Sequence, residues 1–177
     1  HDEMTDEILD VIRRHERDDA VRGFVITGYG TRAFCAGGDI GRFPSMLGDA
    51  DASAQYARDC SRLLVHLDAM TKPVVAALNG MALGGGFELA IRCRAIVAMR
   101  DAWMQFPEIT LGIVPGAVGT QRLPRLIGAE QALQMFLDGK PVGAEDAKKL
   151  GLIDEVASGD LKAAAIAYAR RLVAEGK

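Results

Sequence analysis

A buried strand that runs into glycines, which in turn run into the start of a helix, occurs twice in this chain and constrains its fold more than any other feature. The first junction is Ala36-Gly37-Gly38-Asp39, downstream of the apolar run Phe24-Val25-Ile26-Thr27 and the turn formers Gly28 and Gly30. The second is Leu83-Gly84-Gly85-Gly86-Phe87-Glu88, downstream of Val74-Val75-Ala76-Ala77-Leu78. Short apolar runs of this kind read as strands buried on both faces. Glycine lets the backbone approach a neighbour closely and adopt angles that side chains forbid. The helix N-terminus that follows leaves amide N–H groups unpaired and positively polarised.

Helices separate these strands. Met4, Ile8, Val11 and Ile12 recur at helical spacing and predict a helix over 3–17. A second helix is predicted over 50–69 through Tyr56, Cys60, Leu63, Leu64 and Leu67, ending before Pro73. Residues 95–98 read as a third strand, and 117–137 as helix with a break near Pro124. A helix over 144–150, a strand over 153–156 and an amphipathic helix from Leu161 to Ala174 complete the pattern. Strands alternating with helices make this an α/β protein, and no linker or low-complexity stretch divides it. With 177 residues the chain forms one domain, able to bury roughly 70% of its unfolded surface.

The net charge is −3, and Lys and Arg are scattered, so no basic stripe points to nucleic acid or to an anionic membrane. No apolar run reaches the length of a membrane span. Cys35, Cys60 and Cys93 are odd in number and far apart, which argues against a disulfide framework or a zinc site and fits a reducing, cytoplasmic setting. No metal site is expected. His1 stands where Met is usual, with no signal-peptide pattern after it, so sequence, including any targeting peptide, is expected to precede it.

Two carboxylates stand out. Glu88 follows Phe87 in the first turn of an otherwise apolar helix, and Glu108 sits in Phe106-Pro107-Glu108-Ile109. A carboxylate in apolar surroundings finds a partner or has its pKa raised. Two that share a site resist joint ionisation, which supplies a base and an acid together. Taken singly, each is accounted for as a capping or dipole-stabilising residue, and a single glycine loop as a tight turn. Amides of two loops converging on one point would instead form an oxyanion hole.

Several stretches together resemble the enoyl-CoA hydratase/isomerase (crotonase) family. They are Ala33-Phe34-Cys35-Ala36-Gly37-Gly38-Asp39-Ile40, Lys72 through Ala90, Pro107-Glu108-Ile109, and Gly112 through Leu123 with Pro115-Gly116 and Gly119-Thr120-Gln121-Arg122. The resemblance runs in order over almost the whole chain. It implies a ClpP/crotonase-like spiral of ββα units, incomplete at both ends here, and assembly into trimers or dimers of trimers. It also implies that the amides of Gly38 and Gly85 polarise a thioester carbonyl. Ala36, Gly38, Asp39, Ile40, Gly41 and Gly85 would then line the coenzyme A site. Glu88 would activate water for attack at C3 while Glu108 delivers a proton to C2. No cofactor is implied beyond the coenzyme A carried by the acyl-CoA substrate.

Some positions depart from the family pattern. Gln105 and Val118 stand where glycine is usual, and Arg94 where aspartate is frequent. The resemblance also implies strands ahead of His1 and helices after Lys177. Gly139-Lys140-Pro141-Val142-Gly143 and Gly159-Asp160-Leu161 resemble hydratase portions of multifunctional β-oxidation enzymes. Three rival readings stand beside hydration: an isomerase or thioester hydrolase on the same fold, a module that binds acyl-CoA without turnover, and a dinucleotide site at Gly28-Tyr29-Gly30-Thr31-Arg32-Ala33. The last lacks a helix starting at the motif. His15, His66, Cys35 and Trp103 read as structural.

Overall fold

A computed structural model describes residues 2–176. Two sheets are wound from the same run of chain. The first holds β1 (Phe24–Thr27), β3 (Val74–Leu78), β5 (Ala95–Met99) and β8 (Glu155–Ala157), in the order β1-β3-β5-β8 and all parallel. The second holds β2 (Ala33–Cys35), β4 (Met81–Leu83), β6 (Trp103–Gln105) and β7 (Val142–Gly143), in that order, with only the β6–β7 pair antiparallel. The first three turns of the chain each give one strand to each sheet and then return through helix, whereas β7 of the second sheet precedes β8 of the first with α7 between them. This is the ββα spiral that the family resemblance implies.

The helices are α1 (Asp2–His15), α2 (Phe43–Met46), α3 (Ala50–Ala69), α4 (Gly85–Arg92), α5 (Gly119–Ile127), α6 (Ala129–Asp138), α7 (Ala144–Lys149) and α8 (Leu161–Ala174). Two 3-10 turns, Ile40–Arg42 and Glu108–Leu111, sit between them. Every residue of β3 is buried, because both faces of the first sheet are covered. Strand alternation divides its side chains between two cores. Val75, Ala77 and Val97 meet Ala165, Ala169 and Leu172 of α8. Ala76, Leu78, Ile96 and Ala98 face the larger core with Leu63, Leu64, Phe87 and Leu89. Phe87 and Phe106, ring centroids 4.7 Å apart, fill the space between α4 and the chain leading to Glu108.

Corners between the sheets are tied by Asn79. Its Nδ2 donates to the carbonyls of Gly30 at 2.8 Å and Ala33 at 3.1 Å, and its Oδ1 accepts from the Gly28 amide at 3.1 Å. A Cβ on Gly28 would lie 2.0 Å from the Ala33 carbonyl oxygen, so this corner admits only glycine. Gly28–Ala33 is therefore the bend from β1 into β2 and opens no helix, which removes the context a dinucleotide motif needs.

The structure differs from the sequence expectations in local ways. Ala33–Cys35, Met81–Leu83 and Val142–Gly143 form strands where the sequence analysis predicts none. Two- and three-residue strands show no usable periodicity. The helical break comes at Gly128 (φ +87°), not at Pro124, which lies inside α5. The Pro124 carbonyl accepts from the Gly128 amide at 3.0 Å, and Gly128 ends one helix and opens the next. The last strand is Glu155–Ala157 rather than 153–156. Ile153 is buried in the core as connecting chain, and Asp154 turns its carboxylate back to the Ile96 amide at 2.7 Å.

Candidate active site

Glu88 reaches its position because α4 starts abruptly at Gly84, whose φ of +49° and ψ of −123° suit glycine alone. The Glu88 side chain is buried, and its Oε1 accepts two backbone N–H groups, from Val118 at 2.8 Å and Gly119 at 2.7 Å. Both donors belong to the N-terminal end of α5, where unpaired amides and the helix dipole favour an anion. One oxygen of Glu88 is thus fixed as a double acceptor. A Cβ on Gly119 would lie 3.1 Å from that oxygen and 2.7 Å from Pro115 Cβ, so the close fit depends on glycine.

Glu108 opens the 3-10 turn after Pro107 and is also buried. Its Oε2 is the one buried side-chain oxygen or nitrogen among the described residues with no hydrogen-bond partner. A Cβ on Gly84 would lie 2.8 Å from its Oε1, so the α4 entry passes directly over the carboxyl group. Burial pushes the Glu108 pKa up, a backbone hydrogen bond partly opposes it, and the nearby Glu88 charge adds a lesser push upward. The two carboxylates therefore differ in kind. Glu88 is held as an acceptor, and Glu108 is driven to retain its proton.

The two glycine loops meet beside this pair. A Cβ on Gly85 would stand 3.8 Å from the Gly38 amide nitrogen and 3.9 Å from Glu88 Oε2. Gly38, Gly85, Glu88 and Glu108 line one cavity of about 290 Å³. Its remaining wall is mostly apolar, with Ile40 and Phe43 on one side and Leu111, Ile113, Val114 and Ala117 on the other. An apolar cleft with a few convergent polar groups is the usual form of a small-molecule site.

Of the residues expected at the coenzyme A site, Ala36, Gly38, Ile40 and Gly85 line the cavity. Asp39 and Gly41 do not. The Asp39 carboxylate instead caps the Ile40–Arg42 turn, accepting from the Gly41 amide at 3.0 Å. His66 pairs with Glu16 at 2.7 Å, in keeping with a structural role. No group of three or more His, Cys, Asp or Glu gathers as a metal site among the described residues. No helix described is long and apolar enough to cross a membrane.

Sequence reasoning missed two contributors. The Val118 and Gly119 amides that hold Glu88 were not singled out, although glycines at 112, 116 and 119 around Pro115 hinted at close backbone approach. Tyr56 was read only as part of a helix pattern. It lines the cavity, and its hydroxyl would lie 2.6 Å from a Cβ on Gly38, so a side chain at 38 would crowd it.

The sequence family described as enoyl-CoA hydratase/isomerase matches residues 1–177. A probable enoyl-CoA hydratase of Bacillus subtilis is 41% identical over 150 residues, covering 85% of this chain and 57% of that protein. The peroxisomal bifunctional enzyme of Cavia porcellus is 39% identical over 166 residues, covering 94% of this chain and 22% of the other. The crystal structure of enoyl-CoA hydratase subunit I from Geobacillus kaustophilus superposes with a TM-score of 0.85 at 39% identity, covering 97% of this chain and 65% of that one. The chain thus spans little more than half the length of the B. subtilis relative and about a fifth of the bifunctional one. With a crotonase fold, a carboxylate pair and two converging glycine loops, the chain belongs to the enoyl-CoA hydratase/isomerase family.

Proposed function

We propose that the protein adds water across the double bond of a 2-enoyl-CoA thioester, giving the 3-hydroxyacyl-CoA. The observation that carries this reading is the buried pair in one cavity: Glu88 fixed by two amides and Glu108 with an unpartnered oxygen. An ionised carboxylate opposite a protonated one is what the addition needs, since one removes a proton and the other supplies one. Relatives named as hydratases support the same reaction.

In this reading the thioester oxygen accepts hydrogen bonds from the Gly38 and Gly85 amides. Water bound between the carboxyl groups loses a proton to Glu88 as its oxygen bonds to C3. The C2–C3 π pair moves toward the carbonyl, and negative charge develops on the thioester oxygen, where preorganised amides are worth most. Glu108 then delivers its proton to C2. Proton exchange with solvent returns each carboxyl group to its starting state. Coenzyme A enters only as part of the substrate, and the cavity wall of Ile40, Phe43, Leu111 and Val114 would hold the acyl group. A homotrimer or dimer of trimers and a cytoplasmic location belong to the same reading.

Product analysis tests it. Crotonyl-CoA incubated with the protein should lose its enoyl absorbance as 3-hydroxybutyryl-CoA appears. Double-bond migration in a longer enoyl thioester, or release of free coenzyme A, would replace hydration with isomerisation or thioester hydrolysis. Binding without any product would reduce the chain to an acyl-CoA-binding module.

A further inference from the structure

At the opposite end of α4 from Gly85 lies a second cavity, of about 230 Å³. It opens between the end of α3, the start of β3 and the helices α4 and α5. Its charged lining is unequal: Lys72, Arg92, Arg94 and Arg122 face a single carboxylate, Asp68. The chain as a whole is acidic, so this concentration of cations is local and not the sign of a basic surface.

Asp68 is engaged by Arg92 in an ion pair, and the other three cations have no carboxylate partner among the described residues. Part of this arrangement is explained by helix ends. Arg92 Nε donates to the Leu64 carbonyl at 3.0 Å, and Arg122 Nε donates to the Ile91 carbonyl at 3.2 Å. Cations at such places offset the negative end of a helix dipole. That role uses few of the five N–H donors each guanidinium carries. Lys72 Nζ donates to the Asp18 carbonyl, and Arg94 has no side-chain partner among the described residues. Like charge stands close to like charge here. Burial lowers the Arg92 pKa, and the Arg122 charge lowers it further.

We infer that this cavity is a binding site for a phosphate-type oxyanion, with Arg92 and Arg122 as its floor and Arg94 and Lys72 closing over it. Guanidinium groups offer planar pairs of donors that match phosphate oxygens, and an ammonium group adds a point charge. A dianion would relieve the repulsion among the cations and satisfy donors that no described residue reaches. The inference does not depend on the hydration chemistry.

Isothermal titration with inorganic phosphate tests it, at ionic strength held constant with sodium chloride, and a parallel titration uses AMP as a phosphate monoester. Saturable binding at one site is expected, weakened about tenfold in Arg94→Ala and again in Arg94→Ala/Lys72→Ala. Both positions lie at the cavity mouth, and circular dichroism checks that each variant stays folded. Equal affinity for AMP identifies phosphate esters as the ligand class, and binding of free phosphate alone identifies the inorganic ion. Absence of saturable binding by either probe would overturn the site. So would an unchanged affinity in both variants.

Discussion

Glu88 and Glu108 line the same cavity, yet their supports are opposite. Glu88 has an oxygen locked by two amides of the α5 N-terminus, while Glu108 has a buried oxygen that no described residue satisfies. The first arrangement fixes the rotamer and holds the oxygen as an acceptor. The second carries a desolvation cost that a proton relieves. Two residues of one type, within one cavity, are thus made into an acceptor and a donor by their neighbours alone. The lesson is that surroundings, backbone donors for Glu88 and burial for Glu108, assign the roles that side-chain identity leaves open.

The largest test of that difference is kinetic. Glu88→Gln keeps an oxygen for the Val118 and Gly119 amides, so the fold should survive while the base is lost. Hydration of crotonyl-CoA should fall roughly 10²–10⁴-fold, the range for removing a positioned proton-transfer group. Glu108→Gln should fall within the same range. Full activity in both variants, measured by loss of enoyl absorbance, would end the two-carboxylate mechanism.

Stability should separate the two residues where activity does not. The Glu108 pKa is raised in the native state by burial and by Glu88. Its contribution to stability is therefore intact below the ordinary carboxyl pKa of about 4.3 and is lost as pH climbs through the raised native value. Glu108→Gln has no proton to lose, so its Tm relative to wild type should rise from acid to neutral pH. The residual activity of Glu108→Gln should likewise lack an alkaline limb that reflects Glu108 ionising. A Tm difference that is flat with pH would mean that the carboxyl group is not strained by burial.

How much of this was legible in the sequence follows from the length and burial of each segment. Val74–Leu78 is long, apolar and covered on both faces, so it announced itself, as did Ala50–Ala69 and Leu161–Ala174 through helical spacing. The second sheet stayed hidden because its strands are two or three residues long. At the site, each carboxylate was visible through its apolar flanks. Their shared cavity was not, because it depends on α4 passing over Glu108 at Gly84, a contact between residues 24 positions apart. The resemblance carried that link. The amides that hold Glu88 were unreadable for a simpler reason: a backbone donor leaves no mark on residue type, and Val118 even stands where glycine is usual.

Smaller changes can loosen one carboxylate while sparing the other. On the Glu88 side, Gly119→Ala would set a methyl group 2.7 Å from Pro115 Cβ and 3.0 Å from Phe106 Cε1, besides crowding Glu88 Oε1. Overpacking of this kind costs about 1–3 kcal/mol, and the displaced amides should lower kcat more than they raise KM. On the Glu108 side, Gln105 donates from Nε2 to the Gly139 carbonyl at 2.6 Å, and Gly139 in turn packs closely on Ile109, the residue after Glu108. Gln105→Ala removes that one tie, for a loss of about 1 kcal/mol in chemical denaturation. Glu88 and its two amides are untouched, so the change should appear in the alkaline limb of the pH–rate profile, which reflects Glu108. An alkaline limb that stays in place would mean that Gln105 gives Glu108 no separate support, and the contrast between a locked base and a strained acid would weaken.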